Sequence, residues 1–173
     1  VREAIRKLEL EGLVNMIPRK GAHVADLSIK EIMDVLEVRA SLDSLATGLA
    51  AVRINDDELK SLKNAHEQFL KYAEKNNLQG AIKKDVEFHD IIYAASKNEK
   101  LLQILGNLRE QVHRYRVIYL KEQHNYKEII KEHNEIIEAL SAKDEKLASV
   151  TAARHIKTQQ DAIINALKAN NVN

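Results

Sequence analysis

The chain has no cysteine and no tryptophan, a single proline and only five glycines in 173 residues. Without cysteine there are no disulfides and no thiolate metal sites, so any bound metal must use nitrogen and oxygen ligands. After Pro18 nothing forbids helix on proline grounds, and the scattered glycines exclude a flexible linker or a low-complexity segment. No apolar run approaches the roughly 18 residues a membrane span needs, and no signal-peptide pattern opens the chain. Charge of one sign is not in excess either: 27 Lys+Arg stand against 26 Asp+Glu. That excludes a whole-chain polyanion binder while leaving local patches open. What remains is an ordinary apolar fraction of 45% and a somewhat high charged fraction of 31%. Together these predict a soluble, cytoplasmic protein with one sizeable domain, or one domain plus a fragment.

The first residues, VREAIRKLELEGLV, are already in a helical repeat, with Ala4, Ile5, Leu8 and Leu13 as the apolar face. A helix with neither cap nor lead-in reads as the middle of a motif, so we expect an upstream part to be missing. Gly12 is a stop signal. Val14 to Ile17 and Ala22 to Ala25 are two short β-compatible runs around Pro18-Arg19-Lys20-Gly21, a turn with a basic tip. A helix followed by a basic-tipped hairpin is the second half of a winged helix.

From Ser28 the period changes to that of helices. Ser28 with Glu31 predicts a capping box. Ile32, Val35, Leu36, Leu42, Leu45 and Leu49 then form one face to about Val52. Further helices are predicted from Asn55 to about Lys75, from Leu78 to Ser96, as one long helix from Glu99 to about Lys121, from Tyr126 to Ala139, and from Asp144 to Leu167. Short connections make neighbours antiparallel, so the fold class is all-α: an antiparallel helical bundle of about six to seven helices preceded by the partial winged-helix fragment. The domains are 1–27 and 28–173.

Within KDVEFHDII (84–92), Asp85 and His89 are four residues apart and share the side of Ile82, Val86, Ile92 and Tyr93. Unpartnered polar groups are expensive in a core, so their presence there asks for a reason. His133 lies one turn from Ile129/Ile130 and from Ile136/Ile137, and His155 shares a face with Ala148, Ala152, Ala162 and Ile163. One carboxylate and three imidazoles from three helices make a sound ligand set for Zn²⁺ or another divalent transition ion. The alternative is a set of hydrogen-bonded core histidines. His66, between Leu62 and Phe69, also sits on an apolar face, and periodicity cannot choose which histidines converge. His23, His113 and His124 read as peripheral. Arg39 falls on the face of Ile32, Val35, Leu36, Leu42 and Ala46. A buried guanidinium needs an anion, either an internal partner such as Asp43 or a bound carboxylate or phosphate. Arg109, His113 and Arg116 form another row, read as a solvated face.

These residues resemble the GntR family of bacterial transcription regulators. VREAIRKLELEGLV and PRKGAHV resemble its recognition helix and wing. EVRASLDSLATGLAA (37–51) resembles the first helix of the FadR-type effector domain called FCD, and DVEFHDIIYAASKNEKL (85–101) resembles that domain's D-x-x-x-H helix. KEHNEIIEAL and ARHI resemble its closing helices. The resemblance implies a homodimer of an N-terminal winged helix-turn-helix and a helical domain holding a divalent metal. Its ligands would be Asp85, His89, His133 and His155, the metal Zn²⁺, with Ni²⁺ or Mn²⁺ as alternatives. It also implies a small carboxylate effector met by Arg39, and Asp43 stands where the pattern usually has Glu. For operator DNA it points to Arg2 and Arg6 on the recognition helix and Arg19, Lys20 and Gly21 in the wing, as expected of a helix in the major groove and a basic hairpin tip on phosphate. With the first helices of the DNA-binding domain absent, the fragment alone is expected to bind operator poorly.

Four functions compete: a metabolite-responsive repressor, a metal-dependent hydrolase on the same four ligands, a ferritin-like di-iron bundle and a plain helical interaction module. No HExxH is present, and the one Glu-x-x-His, Glu110 to His113, is off the core face where a di-iron bundle needs two. The helix-plus-wing segment has no purpose in an enzyme or a ferritin, so the repressor reading leads.

Overall fold

A short helix and a hairpin precede seven helices in the structure, a computed structural model that describes residues 1–10, 12–25, 28–122 and 126–170. The first helix, α1 (Arg2–Leu10), ends ahead of Gly12, whose φ of 69° is the left-handed conformation that suits glycine. Strands β1 (Val14–Ile17) and β2 (Gly21–Val24) pair antiparallel with Ile17 opposite Gly21. The second strand therefore starts one residue earlier than the sequence suggested. Arg19 and Gly21, both at positive φ, turn the chain between them. No residue of α1 is buried; Ile5 and Leu13 are half-covered and Ala4 and Leu8 are exposed, so the expected apolar face has no core against it among the described residues.

The bundle comprises α2 (Ile29–Arg53), α3 (Asp56–Glu74), α4 (Leu78–Ala95), α5 (Glu99–Asn107), α6 (Arg109–Glu122), α7 (Lys127–Ser141) and α8 (Glu145–Asn170). Asn55 and Glu58 form a complete capping box at α3, with side-chain-to-backbone bonds of 2.9 and 3.0 Å. At α2 only half of the expected box forms: Ser28 accepts the Glu31 backbone N–H at 3.1 Å, but the Glu31 carboxylate takes the Ser28 hydroxyl. The long helix expected from Glu99 is two helices. Gly106 and Asn107, both weak helix formers, lead into a break at Leu108, whose N–H bonds back to Leu105 at 3.2 Å.

One core cluster joins Ala50, Ala51, Leu62, Phe88, Ile136, Leu140 and Ala148, and a second joins Ile32, Leu36, Phe69, Tyr119, Ile129 and Ile156. The paired helices α2 and α8 are held close by small residues. A Cβ at Gly48 would lie 2.2 Å from Ser149 Oγ and 3.4 Å from the Glu145 carbonyl oxygen. This close seam turns Ala46, Ala50 and Ala51 inward and leaves Leu45, assigned to the core face from its spacing, half exposed. The seam sets Arg39 of α2 beside Gln159 of α8. No described helix is long and apolar enough to cross a membrane.

Candidate functional site

The centre of the bundle is polar. Asp85 and His89 on α4, His133 on α7 and His155 on α8 are all at most 3% exposed. One ring nitrogen from each histidine falls within a single 4.8 Å cluster. Asp85 joins it from one side: its Oδ1 is 3.4 Å from His133 Nε2 and its Oδ2 is 4.0 Å from His89 Nε2. The i,i+4 spacing on α4 puts Asp85 and His89 on one turn. Phe88, the residue between them and the next face, stacks on the His133 ring at 4.0 Å and fixes its plane.

Burial lowers the pKa of His89 well below the usual 6.5, helped by the nearby Arg39 and Arg116 charges, and burial does the same to His133. Both rings are thus neutral, with a lone pair to offer. His155 is oriented from outside the cluster. Its Nδ1 donates to Glu132 at 2.7 Å, which leaves Nε2 as the acceptor of the Gln159 amide at 2.8 Å. Gln159 in turn accepts from Arg39 at 3.0 Å, Arg39 donates to Asp43 at 3.1 Å, and Tyr93 donates to Asp43 at 2.6 Å. His89 Nδ1 looks at the same Asp43 from 3.7 Å. Burial opposes the Arg39 charge most strongly of any single cause, but Asp43, Tyr93 and Asp85 together offset it and raise its pKa.

A divalent metal fits this set. His89 Nε2, both ring nitrogens of His133 and both oxygens of Asp85 are buried without a hydrogen-bond partner. The three imidazoles lie at the separation a metal's ligands require, Asp85 stands beside two of them, and His155 Nε2 would exchange the Gln159 amide for the ion. A carboxylate on the far nitrogen of one ligand, as Glu132 is on His155, is the usual support of such sites.

Arg39, offered from sequence for a carboxylate effector, is buried and engages Asp43 and Gln159, while one of its terminal nitrogens is unpartnered. Arg116 corrects the sequence reading. It was assigned with Arg109 and His113 to a solvated face, yet it is buried and forms an ion pair with Asp85. Arg109 is exposed and pairs with Asp90 at 2.6 Å, and His113 is exposed. The difference lies in what each meets on α4: Arg109 reaches the exposed Asp90, whereas Arg116, two turns on, reaches the buried Asp85. Sequence reasoning also missed Glu132, Gln159 and Tyr93. Gln159 follows His155 by one helical turn on a largely apolar face, which was the available signal; Glu132 meets His155 only across helices, and Tyr93 reads as apolar until Asp43 is known to be buried beside it.

His66 is buried, 5.5 Å from the His133 ring centroid, but lies outside the three-nitrogen cluster. His23 is exposed, and His124 lies outside the described residues, as does the domain boundary at 27/28 on its first side. Arg2, Arg6, Arg19, Lys20 and Gly21 are exposed on α1 and the hairpin tip. Arg114 of α6 ties the hairpin base to the bundle through the Ala25 carbonyl at 3.0 Å.

The family model for the FCD domain matches residues 34–158. The repressor GlaR of Escherichia coli K12 is 29% identical over 98% of this chain and 81% of its own length. The uncharacterized HTH-type regulator YdhC of Bacillus subtilis 168 is 27% identical over 90% of this chain and 70% of its own. Among solved structures, E. coli McbR/YncC superposes with a TM-score of 0.84 at 22% identity, covering 94% of this chain and 82% of that one. The metal-free FCD domain of TM0439 superposes with a TM-score of 0.66 at 20% identity, covering 84% of this chain and 99% of that one. These last two are likenesses of fold.

Proposed function

We propose, from the premise that this chain belongs to the FCD-domain family of GntR-type transcription regulators, that it is the effector-sensing part of a metabolite-responsive repressor. The family consists of regulators and not enzymes, so the hydrolase alternative falls. In this reading Asp85, His89, His133 and His155 hold one divalent transition ion, Zn²⁺ before Ni²⁺ or Mn²⁺. The ion would supply a Lewis-acidic anchor for the carboxylate of a small organic acid. Arg39 orients that acid, through its unpartnered nitrogen and its tie to Gln159. Glu132 holds the His155 tautomer, and the aromatic and aliphatic shell of Phe69, Phe88 and Ile156 keeps water away. The protein acts in the cytoplasm as a homodimer, the assembly the resemblance implies. Its complete DNA-binding heads contact the operator with Arg2 and Arg6 from α1 and Arg19, Lys20 and Gly21 from the wing. Effector binding shifts the spacing of the two heads. That one relative is a repressor by name supports the sign of regulation.

The observation that carries this reading is the convergence of three buried imidazoles from three helices, with unpartnered ligand atoms on Asp85, His89 and His133. The experiment that tests it is elemental metal analysis of untagged protein beside His133→Ala and His155→Ala. About one divalent ion per chain, lost in both variants, is expected. Metal-free samples that also refuse added Zn²⁺ would make the four residues a hydrogen-bonded core cluster and end the metal part of the proposal.

A further inference from the structure

Asp85 faces two kinds of cation. On one side are the imidazoles that a divalent ion would share with it; on the other is Arg116, in direct contact with Oδ2. The Arg116 contact is an ion pair without an aligned hydrogen bond, since neither its Nε nor either Asp85 oxygen has a hydrogen-bond partner. A divalent ion at the imidazoles is a stronger point charge for the same carboxylate and competes with the guanidinium for it.

Arg116 also has a second neighbourhood. A cavity of about 400 Å³ lies between α4, α5 and α6, lined by Val86, Tyr93, Leu102, Leu105, Arg109 and Arg116 among others. Its inner end is made by Tyr93 and Arg116, the two lining residues that also touch the central network. Val86, Leu102, Leu105 and Val112 suit a short carbon chain; of the charged lining residues Asp90 is paired with Arg109 and Glu110 stands beside it, and the Arg116 guanidinium fork is the group that best matches a carboxylate.

The formal charges around the imidazoles favour an order of events. Three buried carboxylates, Asp43, Asp85 and Glu132, stand against two buried guanidiniums, Arg39 and Arg116, which leaves the centre one charge negative. An anion arriving at Arg116 meets that excess and must compete with Asp85. A divalent ion on Asp85 reverses the sign and frees the guanidinium at once.

We propose that Arg116 is a two-partner residue: its guanidinium competes with a divalent ion for Asp85, and on giving Asp85 up it anchors a carboxylate in the cavity between α4, α5 and α6. This rests on the metal reading of the site. It makes metal and carboxylate binding cooperative through one side chain, and each must then tighten the other by the same factor.

The test is Zn²⁺ affinity by competition with a chromophoric chelator, with and without succinate, on the chain as it stands and on Arg116→Gln and Arg116→Lys. The unsubstituted chain is expected to bind Zn²⁺ more tightly with succinate present. Arg116→Gln should bind Zn²⁺ about tenfold more tightly, the scale on which neighbours of metal ligands act, and should lose the succinate effect. Arg116→Lys keeps the charge and guards against misfolding; it should retain the competition and lose most of the succinate effect, because an ammonium lacks the fork. If the unsubstituted chain takes up Zn²⁺ while Arg116→Gln binds it equally or more weakly, or keeps the full succinate effect, Arg116 is only a structural partner and the proposal is overturned with the metal reading intact. If the unsubstituted chain takes up no Zn²⁺, both fall together.

Discussion

The carboxylate of Glu132 sits 2.7 Å from Nδ1 of His155, both residues buried, and it orients a ring rather than neutralising an arginine. It sets which nitrogen of His155 faces Gln159 and the other two imidazoles. Replacing it by glutamine keeps the size but offers either an acceptor or a donor, so the tautomer is no longer dictated. Glu132→Gln is expected to weaken Zn²⁺ binding by about 10–100-fold while the far-UV circular dichroism stays unchanged. Chelator competition is the measurement, and an unaltered affinity would show that Glu132 serves stability alone.

The neutral histidines give the metal-stripped protein a pH dependence with a definite sign. The folded-state pKa values of His89 and His133 lie below the ordinary 6.5 because burial disfavours the charged ring. Below 6.5 the unfolded chain therefore binds protons that the native chain does not, and stability is lost as pH falls. The contribution is complete above that pH, and each ring costs up to about 1.4 kcal/mol per pH unit below it. Urea unfolding between neutral pH and pH 5 reads this out. Saturating Zn²⁺ should move the loss to lower pH, because ion and proton compete for the same lone pairs. Stability that is flat across the window would contradict the buried neutral rings.

Arg39→Ala is expected to abolish the response to a carboxylate effector and to leave metal content unchanged, since Arg39 touches Asp43 and Gln159 but none of the four candidate ligands. It also leaves Asp43 buried with Tyr93 as its remaining hydrogen-bond donor, which should cost about 3–5 kcal/mol. Calorimetric titration with small carboxylic acids, run well below the lowered melting temperature, separates the two effects. Effector affinity equal to that of the unsubstituted chain would remove Arg39 from the binding site.

The α2–α8 seam gives a prediction that involves no ligand. Alanine at Gly48 gains about 1 kcal/mol in helix propensity, but its Cβ would press on Ser149 Oγ at 2.2 Å. The single Gly48→Ala variant is expected to be destabilised by about 1–3 kcal/mol. In a Ser149→Ala background the hydroxyl is gone and most of that cost should vanish. A double-mutant cycle in thermal unfolding checks it; additive effects would mean that the backbone contact with Glu145, and not the hydroxyl, sets the spacing.

Much of this was legible in the sequence because periodicity is a local signal. The faces carrying Asp85, His89, His133 and His155 follow from spacing within single helices, and the cap at Asn55 from two residues three apart. What was not legible depended on how helices cross. Leu45 has the spacing of a core residue but loses its place because Gly48 and the alanines draw α8 in beside it. Arg116 has the same helical phase as the exposed Arg109, and nothing within one helix says that its inner end runs into the centre. Glu132 looked like one more charge on a charged helix until His155, 23 residues away, came to meet it.

Arg109 on Asp90 and Arg116 on Asp85 are two rungs of one ladder between α6 and α4, seven residues apart on one helix and five on the other. One rung stands in solvent and the other is closed off from it. Dissolved salt reaches charges only where water does, over a screening length of about 8 Å at physiological ionic strength. Raising ionic strength therefore loosens the outer rung and leaves the inner one at nearly full strength. The two helices are fastened to each other at one end by a bond the surrounding medium can tune, and at the other by a bond only a competing ion can reach.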